Sequence, residues 1–220
     1  MDPLVLALIG LGALLLVTLF VVAIVHGVRQ ERRRVEALRA WAYAWGWRFI
    51  DHPQVQWTSR MPGRNRRGVS LAMVGVQQGH QVSVAEYRYT ETTSSANNST
   101  STTTHHFIVV VVHLDRPGAT IAVQSRGAFS KLGRTLFGDR ATALGDDRFD
   151  SQWRVSAQDP ATVRGYIGPV LAAEHVAGRV PHWSVQGTEL VTYERGRLTD
   201  PARIPALVAP LLRVASLLGR

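Results

Sequence analysis

From Leu4 to Val25 the chain reads LVLALIGLGALLLVTLFVVAIV, 22 residues with no charge, no amide side chain and no proline. Sixteen of these are Leu, Ile, Val or Phe, and polar residues do not return at a helical period. A helix of that length reaches about 33 Å, enough for a hydrocarbon core of about 30 Å. A buried core helix would show polar positions every three to four residues. A cleaved signal peptide would show a basic start, a shorter apolar run and a small-x-small cleavage site, whereas this chain begins Met1-Asp2-Pro3 and leaves the run through His26-Gly27-Val28-Arg29. The run predicts a retained membrane anchor over residues 1–27.

The pattern then changes. Val28, Val35, Leu38, Ala42 and Trp45 recur at spacings of 7, 3, 4 and 3 with arginines filling the other face, which predicts an amphipathic helix over 28–46 that stops at Gly46. Trp41, Tyr43, Trp45 and Trp47 lie too far beyond the span for an interfacial belt and are expected to dock this helix onto the soluble domain. A first strand is expected at Trp47–Ile50 and a loop over 51–68, broken by Pro53, Pro62, Gly63 and Gly68. Val69–Val76 and Gln81–Tyr89 alternate at period two around Gln77-Gln78-Gly79-His80 and predict a hairpin. His106–Leu114 (HFIVVVVHL) reads as a central strand buried on both faces, ending at the turn residues Asp115–Gly118, with a further strand over Thr120–Val123.

Between them, residues 90–104 are nearly all Thr, Ser and Asn, a segment with too little apolar surface to offset its ordering entropy, and a mobile loop is expected. The two N-glycosylation patterns within it, at Asn97 and Asn98, would be idle in the cytoplasm. A short helix over Ala128–Phe137 and a strand over Trp153–Ser156 come next. Asp159-Pro160 starts two short helices parted at Pro169, and Trp183–Gln186 with Glu189–Tyr193 reads as a hairpin around Gly187-Thr188. After Asp200-Pro201, a closing helix carries Ile204, Leu207, Val208, Leu211, Val214 and Leu218 on one stripe. The sum is an α+β protein: an N-terminal transmembrane helix, then a soluble domain over 47–220 built as a mainly antiparallel sheet with helices packed on one face.

Charge adds an orientation. Of the net +9, residues 26–67 hold +7, ten Arg against Glu31, Glu36 and Asp51. Arg29, Arg32, Arg33, Arg34 and Arg39 follow the span directly, while only Asp2 precedes it. An excess of Lys and Arg stays in the cytoplasm, so the N-terminus is expected outside and the domain inside. An inverted, envelope-facing domain is the competing topology. These five arginines are the expected membrane-surface contacts, because anionic head groups attract a basic segment by about 1 kcal/mol per nearby residue. A second cluster, Arg60, Arg64, Arg66 and Arg67, brackets Pro62-Gly63 and reads as a solvated loop that is also suited to phosphate head groups. No nucleic-acid-binding pattern accompanies the high charge, so lipid and an unidentified protein are the expected partners, and nucleic acid is not.

The succession RRRVEALRAWAYAWGWRFI, VGVQQGHQVSVAEYRYT, HHFIVVVVHLD, DDRFDSQWRVSAQDPATVRGYIGP and HWSVQGTELVTYERGRL resembles a family of actinobacterial single-pass membrane proteins with one C-terminal domain of unknown function. The resemblance covers nearly the whole chain. Its most specific marks are the Gly46-Trp47 helix stop, Phe149-Asp150 with Trp153-Arg154-Val155, and Gly187 with Leu190. It implies this same architecture and brings no activity, substrate or catalytic residue.

Chemistry is sparse. Cysteine is absent, which removes thiolate nucleophiles and Cys-based metal sites. His105 and His106 are adjacent, so on a strand they face opposite ways and do not chelate one ion. Asp146, Asp147 and Asp150 form the densest acidic group and read as a polar turn before a strand, with cation binding or acid–base work as the alternative. No catalytic, metal or cofactor motif is present, and no cofactor is expected. The sequence therefore points to a membrane-anchored binding or scaffolding module on the cytoplasmic face, with a tethered hydrolase assembled from distant residues as the other reading.

Overall fold

The apolar run and the amphipathic stretch form one helix. In a computed structural model, which describes residues 3–94, 100–126 and 142–219, helix α1 runs unbroken over Pro3–Ala44. The expected division near residue 27 does not interrupt the backbone, because one glycine inside a long helix costs only about 1 kcal/mol. The contacts instead divide the chain into two compact units, Met1–Trp41 and Ala42–Arg220.

Gly46 ends the helix as expected. At φ 71° it takes the left-handed conformation, its N–H donates to the Tyr43 carbonyl (3.2 Å), and Trp47 N–H donates to the Ala42 carbonyl (2.7 Å). This is the paired closure by which glycine satisfies the last carbonyls of a helix. Of the second unit's aromatics in this region, only Trp47 is buried; Tyr43 and Trp45 are exposed. The docking role expected of the aromatic group is thus not shared by those two.

Six strands follow: β1 (Arg48–Asp51), β2 (Val69–Gln77), β3 (His80–Ser94), β4 (Thr100–Ser125), β5 (Trp153–Ala157) and β6 (Trp183–Arg195). All pairings are antiparallel, in the order β1-β2-β3-β4, with β5 and β6 both on β4. Gln78 (φ 51°) and Gly79 (φ 82°) turn the β2–β3 hairpin, two consecutive left-handed residues matching the twist of the flanking strands. Phe107–Val112 lies between β3 and β6, and Ile121–Val123 between β5 and β6, which explains an apolar run with no alternation.

Two expected turns do not form. The chain passes straight through Asp115–Gly118 within β4 and through Gly187 within β6. Gly118 pairs with Gly187, and the register slips on either side of that pair. With Gly187 at φ 59°, the slip is absorbed as a bulge rather than a chain reversal. Turn-type residues read correctly as irregularity, but the pairing on both sides of them kept the strands continuous. The Thr/Ser segment differs in the same way. Its arms are strands, paired from Thr90↔Thr104 to Ser94↔Thr100, because a ladder of backbone hydrogen bonds needs no apolar side chain. The tip lies outside the described residues, as does the helix expected over 128–137.

The sheet has two covered faces. Ala85, Tyr87, Phe107, Val109, Val111, Val191 and Tyr193 share one, and Trp57 and Met61 from the 52–68 segment complete their cluster. Helix α5 (Ile204–Leu217) packs over β3, β4 and β6, burying Ile204, Val208, Leu211 and Val214 of the expected stripe. The short helices α2 (Asp147–Gln152), α3 (Val163–Tyr166) and α4 (Pro169–Val176) extend this layer, α2 touching α4 and α4 touching α5.

Gly75 on β2 makes room for Trp47: a Cβ there would lie 2.4 Å from the indole ring. Gly75→Val should therefore cost about 2–3 kcal/mol by overpacking, read as a fall in the denaturation midpoint, and an unchanged midpoint would show that Trp47 is free to move aside.

Candidate functional site

The long apolar helix comes first. Leu14, Leu15, Leu16 and Val17 are each about 60% exposed, and four consecutive helical residues point to all sides, so α1 presents apolar surface all round. Thr18 is no exception, since its hydroxyl donates back to the Leu14 carbonyl (2.8 Å). Among the described residues α1 is the one helix long and apolar enough to cross a membrane. Of the expected surface contacts, Arg29, Arg32 and Arg33 are exposed. Arg34 is turned along the helix into a two-pronged pair with Glu31 (2.8 and 3.1 Å), and Arg39 is half-buried.

Several clefts open among the described residues of the domain. One of about 990 Å³ is lined by His52, Gln54, Gln56, Thr58, Ser59, Arg66 and Arg67 with Pro53, Val55 and Val69. An adjoining cleft of about 330 Å³ shares Gln56 and Ser59 and adds Gln186, Thr188 and Glu189. A third, of about 320 Å³, lies between α5 and the sheet and is mostly apolar, with Ile108, Val110, Val180, Leu207 and Pro210 around His182 and Thr192.

The structure splits the second basic cluster. Arg60 turns inward and is buried, donating Nη2 to Glu189 Oε2 (2.5 Å) and Nη1 to the Glu189 carbonyl (3.0 Å). Burial pulls its pKa down, and Glu189 opposes that pull. Arg66 and Arg67 stay outside and line the cleft of about 990 Å³. Spacing gave no means of separating these roles, because the turn at Pro62-Gly63 decides which arginine faces the sheet. Ser59 and His52 share that cleft, as a hydrolase would want. Yet Ser59 Oγ donates to the Gln56 carbonyl (3.0 Å), and no carboxylate lines the cleft among the described residues.

Two of the three acidic residues are structural, and Asp147 is exposed in the first turn of α2. Asp146 caps α2, accepting from Arg148 N (3.0 Å) and Phe149 N (3.1 Å), and Asp150 accepts from Leu144 N (3.0 Å) and Gly145 N (2.9 Å). Among the described residues no three His, Asp or Glu side chains are placed to hold a metal ion. His105 stacks on Tyr89, with ring centres 4.9 Å apart, and sits 3.5 Å from Glu91.

A buried imidazole was not singled out from the sequence. His175 on α4 is packed among Phe149, Trp153 and Trp183, and its Nε2 accepts from the Trp183 indole N–H (2.9 Å). Its place four residues after Leu171 on the buried side of α4 was the available signal. Burial, with a smaller contribution from His182, lowers its pKa to about 4; burial does the same to His182. Tyr193, edge-on to His182, is raised to about 12 by burial. These groups are neutral at pH 7 and belong to the core.

No family model matches the chain, and no match was found among curated proteins. The fold has a solved counterpart. The crystal structure of the mycobacterial trehalose monomycolate transport factor A, TtfA, superposes with a TM-score of 0.52 over 83% of this chain and 90% of that one, at 10% identity. At that identity the likeness establishes a shared α+β fold. The neighbour comes from the actinobacterial group to which the sequence resemblance also points.

Because the folded pKa of His175 lies below its unfolded value of about 6.5, the unfolded chain takes up the proton first as pH falls. Stability is complete above about pH 6.5 and declines towards pH 4, by about 3 kcal/mol from this residue. Glu174, whose carboxyl is held below its usual range chiefly by its Arg179 hydrogen bond, adds its own loss only at lower pH. His182, lowered by burial to the same value, contributes a comparable loss over this window. Thermal unfolding of the detergent-solubilised chain should therefore show the decline, and His175→Gln should make it about half as steep; parallel curves for the two proteins would contradict the assignment.

Proposed function

We propose that this chain is a single-pass membrane protein whose α+β domain is a non-catalytic binding or scaffolding module held at the cytoplasmic face, serving a membrane transport process as an accessory factor. The observation that carries the reading is α1: apolar on every side through the span, basic where the span ends, and continuous up to Ala44. The fold it shares with a protein described as a transport factor supports the accessory role. Commitment of Asp146 and Asp150 to backbone N–H groups, and of Ser59 to a backbone carbonyl, favours binding over hydrolysis.

Helix geometry ranks the arginines. On a helix upright in the bilayer, Arg29 lies about 6 Å beyond Val25, Arg32–Arg34 about 10–14 Å and Arg39 about 21 Å. The head-group layer is about 5–8 Å deep and its field fades over a further 8–10 Å. Arg29 therefore contacts head groups, Arg32 and Arg33 feel their field, Arg34 does so while paired to Glu31, and Arg39 lies beyond. The same distribution of charge supports the N-out orientation.

Two fractionations test this reading together. The full chain should stay in the membrane pellet through alkaline carbonate extraction, and protease added to intact cells should leave the domain whole. Release into the wash would remove the anchor, and digestion from outside would reverse the orientation.

A further inference from the structure

Between Asp51 and Glu86 the sequence has no carboxylate, yet it holds Arg60, Arg64, Arg66 and Arg67. Several arginines of the domain are held by acids: Arg60 with Glu189, Arg179 and Arg213 with Glu174, Arg203 with Glu194. Arg66 and Arg67 are exposed and make no side-chain ion pair among the described residues, and both line the 990 Å³ cleft. No carboxylate is among the residues that line this cleft, and Glu189 of the adjoining cleft is paired with Arg60.

The wall that carries them is held in place. Tyr87, buried under the loop, donates its hydroxyl to the Pro62 carbonyl (2.5 Å) and accepts from Asn65 N (2.8 Å). Asn65 in turn accepts from Arg67 N (3.1 Å) and donates to the Arg88 carbonyl (3.2 Å). Gly63 and Gly68 lie so close to Tyr89 and Tyr87 that a Cβ at either would collide with a ring. The opposite wall, His52 to Ser59, is fixed by Trp57 in the core cluster and by the His52 N–H bond to the Ser70 carbonyl (3.0 Å). Two guanidiniums without counter-ions among the described residues, held on a pinned loop beside hydrogen-bonding side chains, form a site for an anion with several acceptor oxygens.

We propose that this cleft binds a phosphate group, with Arg66 and Arg67 as the cations that hold it and His52, Gln54 and Gln56 as its hydrogen-bonding partners. The volume leaves room for whatever the phosphate is attached to. The group can belong to a lipid head or to a soluble phosphate ester, and the site stands whichever side of the membrane the domain occupies.

The test uses the full chain and two double variants of equal charge change, Arg66→Gln with Arg67→Gln in the cleft and Arg29→Gln with Arg32→Gln on α1. In neutral detergent, calorimetry with inorganic phosphate and pyrophosphate reads the soluble source; in nanodiscs, retention of phosphatidylglycerol over phosphatidylcholine reads the lipid source. The cleft variant should weaken binding about tenfold or more in at least one arm, while the α1 variant leaves the soluble arm within about twofold. Loss in the soluble arm alone assigns a phosphate ester, and loss in the lipid arm alone assigns a head group. No binding in either arm, or equal loss from both variants in every arm that binds, overturns the proposal.

Discussion

Water has no good way to accommodate α1. Sixteen large apolar side chains in 22 residues, exposed on every side where the helix is described, favour lipid over water by about 5–10 kcal/mol at the values that apply near a bilayer centre. A helix supplies the other requirement of that environment by satisfying its backbone internally, and Thr18 satisfies its hydroxyl on the same helix. The proposed function depends on this placement, since only a helix in lipid would give the arginines a partner in the head groups.

Within the domain the organising element is β4, 26 residues long and paired along both edges. Because β6 follows it past the Gly118–Gly187 slip, the sheet offers one continuous floor instead of two short ones. Helices cover one side of that floor. The other side is crossed by residues 52–68, pinned by Trp57, Met61 and the Tyr87 hydroxyl. A polar, arginine-bearing segment resting on an apolar sheet puts its aromatic anchors underneath and its charges on top, which is how a basic cleft arises on an otherwise conventional core.

Much of this was legible in the residues. The long apolar helix, the Gly46 stop, the 77–80 turn and the caps at Asp159 and Asp200 each depend on local chemistry, and the structure repeats them. What the sequence concealed depends on partners far along the chain. Asp115–Gly118 and Gly187 carry the residues of turns, and only the pairing of each with the other makes both into bulges. The inward course of Arg60 depends on Glu189, 129 positions later, and the neutrality of His175 on three aromatic rings from separate elements. The arms at 90–94 and 100–104 misled for a different reason: a composition that cannot make a core can still make a ribbon.

The chain lacks cysteine, so single cysteines can be placed along α1 and spin-labelled without background. In anionic nanodiscs, labels at Leu11, Leu15 and Leu19 should be reached by oxygen and shielded from a water-soluble nickel chelate, with the balance reversing by Arg32. Chelate access at Leu15 equal to that at Arg32 would mean that this helix does not lie in lipid, and the account built on it would fall.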